Sequence, residues 1–131
     1  SYLSYRKEPK DWYRVDKFYN RISPEKVGEV YASCDILIKT SILESFSYPP
    51  LEMMATGGVS VVVPNGGNVE YLKDGYNCLF YKQGDIEEGV AAVKKILDDK
   101  ELRDKLIKNG LKTARDYQWS NLEQQIIDIY S

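Results

Sequence analysis

A chain of 131 residues is expected to form one domain, long enough to bury about two-thirds of the surface its unfolded form exposes. A net charge of −2 gives no electrostatic case for nucleic acid, and no apolar run approaches the ~20 residues of a membrane span. Histidine is absent, which removes His-based zinc sites and Ser-His or Cys-His nucleophilic pairs. Hydrophobic residues at 43% and charged residues at 29% are ordinary for a globular protein. Cys34 and Cys78 lie in apolar contexts and read as small buried residues in a reducing, cytoplasmic compartment rather than as a disulfide.

Residues 1–12 are polar and aromatic and read as a tail or the end of a truncated helix, with Arg6-Lys7 a solvated basic stretch. The domain proper is expected to span 13–131. Tyr13 to Tyr19 is β-prone and partly alternating, a strand. Asn20-Arg21-Ile22 is a loop, and Ser23-Pro24 supplies an N-cap and a first-turn proline. Val27, Val30, Tyr31 and Cys34 recur at helical spacing, which predicts a helix over 24–34 with one buried face. Ile36 to Ile38 is short and β-branched, as a buried parallel strand is. A polar loop carrying Glu44 follows.

Ser47 is an N-cap candidate, and Pro49 and Pro50 fit a first helical turn, whose N–H groups have no intrahelical partner. Leu51, Met54 and Ala55 then share a face, and Gly57 or Gly58 ends the helix in the left-handed conformation. Val59 to Val63 is a second buried strand, turned by Pro64-Asn65-Gly66-Gly67. Val69 to Leu72 suggests a short helix and Asn77 to Tyr81 a fourth strand. Three amphipathic helices close the chain: 85–97 with Ile86, Val90, Val93 and Leu97 on its sheet-facing side, 100–117 with Leu102, Leu106, Gly110 and Ala114, and 121–130 with Leu122, Ile126 and Ile129. Trp119 reads as a packing anchor between the last two. Strands alternating with helices imply an α/β fold, a Rossmann-like three-layer α/β/α arrangement with a mainly parallel sheet.

In such a sheet, ligands bind beyond the carboxyl ends of the strands, and free N–H groups at a helix start attract phosphate. Glu44 and Glu52 straddle one such start, with seven residues between them. An ionised carboxylate accepts hydrogen bonds from two neighbouring hydroxyls, so the pair suits a sugar or ribose diol. The competing reading of glutamates near a helix start is modest stabilisation by the helix dipole. Gly66-Gly67 is first a tight turn, and also a place where backbone without side chains can approach a ligand closely. No metal site is read from the sequence.

The run Glu44-Ser-Phe-Ser-Tyr-Pro-Pro-Leu-Glu52-Met-Met-Ala-Thr-Gly57 resembles the E-x7-E signature of the group 1 retaining, nucleotide-sugar-dependent glycosyltransferases of the GT-B fold, whose usual wording is E-G-F-G-x-P-x-L-E-A-M-A-x-G. The resemblance extends upstream through Val27 to Asp35 and downstream through Asn65-Gly-Gly-Asn-Val-Glu70 and Asp74-Gly75-Tyr-Asn77, covering about 15–130. Ser45 and Ser47 stand where the family carries glycines, Met53 for alanine, Val59 and Val69 for prolines, and Cys78 for a glycine.

The resemblance implies one half of a GT-B fold: the donor-binding, C-terminal domain of a hexosyl-type transferase. Glu52 would hold the ribose hydroxyls, and Glu44 would sit by the transferred sugar as the catalytic carboxylate. Ser45, Phe46, Ser47 and Tyr48 would contact the sugar and distal phosphate, Arg21 and Ile22 would line the base pocket, and Gly66 and Gly67 would approach the donor. It implies a nucleoside-diphosphate sugar as co-substrate, no metal and no other cofactor. It also implies that an N-terminal domain and the basic diphosphate clamp lie outside this chain. An isolated chain without turnover, and self-association through an uncovered inter-domain face, are then expected. A non-catalytic α/β binding module, and a related GT-B epimerase or phosphorylase, remain alternatives.

Overall fold

The computed structural model of the chain describes residues 2–4, 17–20, 23–39, 48–66 and 69–117. Two compact units divide it, Ser1–Val30 and Tyr31–Ser131. In the first, β1 (Tyr2–Ser4) pairs in parallel with β2 (Phe18–Asn20), Tyr2 opposite Phe18. The expectation of a tail or helix end at 1–12 is therefore corrected at Tyr2–Ser4. A strand of three residues is too short to show a period of two, so only its partner reveals it. Residues 13–16, the first part of the strand expected over 13–19, lie outside the described residues. Helix α1 (Pro24–Ala32) opens as expected: the Val27 N–H donates to the Ser23 carbonyl at 3.0 Å, and the Lys26 N–H reaches the Ser23 hydroxyl at 3.4 Å.

The second unit is built on a parallel sheet in the order β3 (Ile36–Lys39), β4 (Val59–Val62), β5 (Leu79–Phe80). Ile36 lies opposite Val59, and Val61 opposite Leu79. Every residue of the central strand β4 is buried, as a parallel sheet covered on both faces requires. Val59, Val61 and Val63 point to one side and meet Ala92 and Ile96 of α3 (Ile86–Asp98) and Leu106 of α4 (Lys100–Asp116). Val62 points to the other side, into a cluster with Leu51 and Met54 of α2 (Tyr48–Ala55), Tyr71, Leu72 and Cys78. The expected α/β, Rossmann-like arrangement with a parallel sheet is what the chain forms.

Helix α2 ends in a hydrogen-bonded cap. The Gly58 N–H donates to the Met53 carbonyl at 3.0 Å and the Gly57 N–H to the Met54 carbonyl at 3.1 Å. That pair of bonds needs a left-handed residue, and Gly57 supplies it with φ +82°. Helix α4 then lies against α2 at Gly110, where an added Cβ would come within 3.1 Å of Met54 Cγ. The joint between α3 and α4 is a single residue. The Asp99 N–H donates to the Lys95 carbonyl at 3.0 Å, closing α3, while its carboxylate accepts from the Leu102 N–H at 3.0 Å, opening α4. Arg103 reinforces it by donating to the Ile96 and Leu97 carbonyls at 3.3 and 3.2 Å.

Three expectations are corrected here. Helix α3 does not present Ile86, Val90, Val93 and Leu97 to the sheet. Ile86, Val90 and Leu97 are exposed, at 79%, 48% and 57%, while Ala92 and Ile96 are buried and Val93 half-buried. The sheet-facing stripe is shifted by about one residue because Gly89 lets the helix close on the Tyr81 ring, 3.3 Å from where a Cβ would stand. Residues 69–72 form a turn, not a helix: the Asn77 side chain takes backbone groups a helix would use, donating to the Tyr71 carbonyl at 2.8 Å and accepting from the Lys73 N–H at 2.9 Å. The last strand is shorter than 77–81, with Asn77 in the preceding turn; the Tyr81 N–H still donates to the Val62 carbonyl at 3.0 Å. Trp119 and the expected helix at 121–130 lie outside the described residues.

Candidate functional site

Parallel strands β3 and β4 joined by α2 require α2 to run back across the sheet, so its first turn lies toward the strands' carboxyl ends. There Tyr48, Pro49 and Pro50 form the opening turn. The two prolines have no N–H, so this start offers fewer donors than an ordinary helix N-terminus. The chain leaves β4 on the same edge of the sheet through Val63, Pro64, Asn65 and Gly66, with the Val63 N–H still paired to the Lys39 carbonyl at 3.2 Å. Topology thus brings the opening of α2 and the turn after β4 to one edge.

Glu52 is the exposed residue in the otherwise buried stretch Leu51–Met54. Desolvation raises its carboxyl above the ordinary value even so, and a hydrogen bond from the Tyr31 hydroxyl works in the opposite direction by stabilising the ionised form. Tyr31 itself is buried at 8% exposure. An ionised carboxylate has about four lone-pair sites, so one donated bond leaves acceptor capacity for a ligand's hydroxyls.

Of the residues singled out from the sequence, Glu52 and Gly66 are in place on this edge, both exposed, and Tyr48 begins α2. A Cβ on Gly66 would meet nothing within 4 Å, so the space beside it is open. Glu44, Ser45, Phe46, Ser47, Arg21, Ile22 and Gly67 lie outside the described residues. Among the described residues no group of three or more His, Cys, Asp or Glu could hold a metal ion.

Sequence reasoning missed two participants. Tyr31 was read only as one of a helix's buried face; its hydroxyl gave no separate signal because its partner is 21 positions away. Asn77 was noted only inside a motif. It is 1% exposed and ties the 71–77 turn to α4, donating to Thr113 Oγ1 at 3.0 Å. A further groove of about 510 Å³ lies elsewhere, along α4 and the last residue of α2, lined by Ala55, Asp104, Ile107, Lys108, Leu111 and Arg115 among others. It shares no residue with the candidate site.

A sequence model of the family described as glycosyl transferases group 1 matches residues 15–113. The chain belongs to this family. A D-inositol 3-phosphate glycosyltransferase from a Nocardioides species is 27% identical over 116 residues, which cover 88% of this chain and 25% of that protein. Among solved structures, Anabaena Alr3699/HepE in complex with UDP-glucose superposes with a TM-score of 0.79 at 22% identity, covering 87% of this chain and 31% of that one. The C-terminal domain of a group 1 glycosyltransferase, LpcC from Francisella tularensis, gives 0.68 at 23% identity over 76% of this chain and 52% of that one. These two structures speak for the fold. The group 1 chain spans about a quarter of the length of the curated relatives it matches.

Proposed function

We propose that this chain is the donor-binding domain of a retaining glycosyltransferase that moves a hexose from a nucleoside diphosphate to an acceptor hydroxyl. The observation that carries this reading is Glu52. It is an exposed carboxylate on the second turn of the helix that follows β3, on the edge where α/β sheets bind ligands. A hydrogen bond from the Tyr31 side chain favours its ionised form, and Glu52 sits within the wording of the family to which the chain belongs. The solved structure with bound UDP-glucose is that of a protein with the same fold, which is in keeping with the reading.

In this reading Glu52 accepts from the ribose hydroxyls, Glu44 lies by the transferred sugar, and backbone N–H groups of the loop before α2 and of the Gly66-Gly67 turn meet the diphosphate. Charge developing on the leaving diphosphate is stabilised by those oriented donors, and the reading requires no metal. Arg21 and Ile22 border the base. The acceptor and a basic clamp for the diphosphate belong to a second, N-terminal domain. A cytoplasmic setting fits two thiols that are unpaired in the structure. No helix among the described residues is long and apolar enough to cross a membrane.

The experiment is a titration of the isotope-labelled chain with UDP, GDP and ADP, followed by amide shifts. Changes concentrated at 44–52 and 66–70, abolished by Glu52→Ala, are the expected result. Changes confined to the groove at Lys108 and Arg115, or none, would overturn it. The reading as a non-catalytic binding module draws on Pro49 and Pro50, which strip donors from the start of α2; a chain that binds none of the three nucleotides supports it.

A further inference from the structure

Helix α3 carries two apolar stripes, and the sheet uses only one of them. Ala92 and Ile96 face the core, and Gly89 seats the helix on the Tyr81 ring. Ile86, Val90 and Leu97 are left exposed at 79%, 48% and 57%, with half-buried Val93 in line with them. Along the sequence 86, 90, 93 and 97 are spaced by four, three and four. That alternation is the a and d pattern of a coiled-coil seam, which keeps one line of side chains turned toward a partner helix. A helix that only covers a sheet carries polar residues on the side away from it.

One flank of this seam is the core side, closed by Gly89 and Ile96. The other carries charge. In the heptad frame Glu87 and Lys94 take equivalent e positions, one near each end of the seam. Both are exposed, and neither forms an ion pair among the described residues. They cannot meet along their own helix, where their separation in sequence puts them about 10 Å apart. Glu88, next to Glu87, is by contrast occupied: its carboxylate accepts from the Lys82 N–H at 3.0 Å. An apolar line flanked by a negative charge at one end and a positive charge at the other is complementary to a second copy of itself running the opposite way.

We propose that α3 is a homodimer seam: two copies of the chain pack α3 against α3, antiparallel about a two-fold axis. Ile86 then meets the partner's Leu97, Val90 meets the partner's Val93, and Glu87 faces the partner's Lys94, each contact made twice by symmetry. The seam shares no residue with the donor edge, and α3 covers the face of the sheet opposite α2. From Ile86 to Leu97 the helix runs about 17 Å. One such helix pair buries less than the ~800 Å² per partner of a standard stable interface, so the dimer is weak, with a dissociation constant on the order of 100 μM.

The test is sedimentation equilibrium of the 131-residue chain from about 10 μM to about 1 mM, a range that brackets this constant, with the thiols kept reduced. Four variants accompany it: Val90→Glu, Glu87→Lys, Lys94→Glu, and the last two combined. All change exposed side chains, and circular dichroism checks that each is folded. A monomer–dimer equilibrium is expected for the wild type. Val90→Glu should weaken it at least about tenfold, because it sets a charge in the apolar line. Each single reversal places like charges together at both symmetric contacts and should weaken the dimer by about three- to tenfold. The double reversal restores opposite charges and should return the affinity to within about twofold of wild type. A chain that stays monomeric throughout overturns the proposal. So does association that Val90→Glu leaves intact, which places the contact on another face such as the groove along α4. Single reversals without effect, or a double reversal that recovers nothing, overturn the antiparallel pairing and the proposal with it.

Discussion

Replacing Asn77 by alanine should unfold the chain more easily than any exposed substitution. The side chain is 1% exposed and makes three hydrogen bonds: to the Tyr71 carbonyl at 2.8 Å, to Thr113 Oγ1 at 3.0 Å, and from the Lys73 N–H at 2.9 Å. Each bond contributes about 1 kcal/mol net, and backbone groups stripped of a partner in a buried setting cost more. The total is about 3–4 kcal/mol, or roughly 10–15 °C in Tm for a domain of this size. Thr113→Val removes one of the three bonds and should cost only about 1 kcal/mol. Asn77→Asp should be worse than alanine at neutral pH, because it places a charged acceptor where the native donor faces two oxygens. Urea unfolding followed by circular dichroism, with the three variants side by side, measures these differences. An Asn77→Ala variant within about 1 kcal/mol of wild type would refute the view that this one amide pins the 71–77 turn to α4.

The shifted face of α3 makes a paired prediction: Ile96→Ala should cost about 2–5 kcal/mol, whereas Leu97→Ala, at 57% exposure, should shift the urea midpoint little. Burial, with the Asp74 charge adding to it, pushes the Cys78 thiol up to about 12 from an ordinary value of 9.0. An aromatic disulfide reagent should therefore react readily with half-buried Cys34, and with Cys78 only on unfolding. Because the folded pKa of Cys78 is the higher one, the stability it contributes is full below about pH 9 and falls as pH rises toward 12; a Cys78→Ala variant should lack that alkaline slope. Ser60 is fully buried, with a hydroxyl that finds no partner among the described residues. Ser60→Ala is thus expected to raise the urea midpoint or leave it unchanged, and a clear loss of stability would show that the hydroxyl is paired in solution.

Long apolar patterns carried the fold. The β-branched runs around Ile36 and Val59, the cap at Ser23-Pro24 and the stop at Gly57 are local signals, and each element formed where its signal stood. What the sequence did not show was decided between distant residues. The face of α3 turned on Gly89 against Tyr81, because two apolar stripes on the helix compete and only the packing partner chooses between them. The expected helix at 69–72 gave way to a side chain five residues further along. β1 exists through its partner 16 positions on. At the site, Glu52 was legible from its place at a helix start and from the family wording, but the tyrosine whose hydrogen bond favours its ionised form was not, since nothing in the spacing of Tyr31 and Glu52 distinguishes that pair from others.

The elbow at Asp99 has a mechanical meaning. One residue serves as the last link of one rod and the first of the next, with Arg103 stitched back across the bend. No slack is available there for a hinge, and an inserted residue would break a stop or a start whichever side it fell on. Whatever movement this protein uses in its work must be taken up at other joints, while the last two described helices travel as a single bracket.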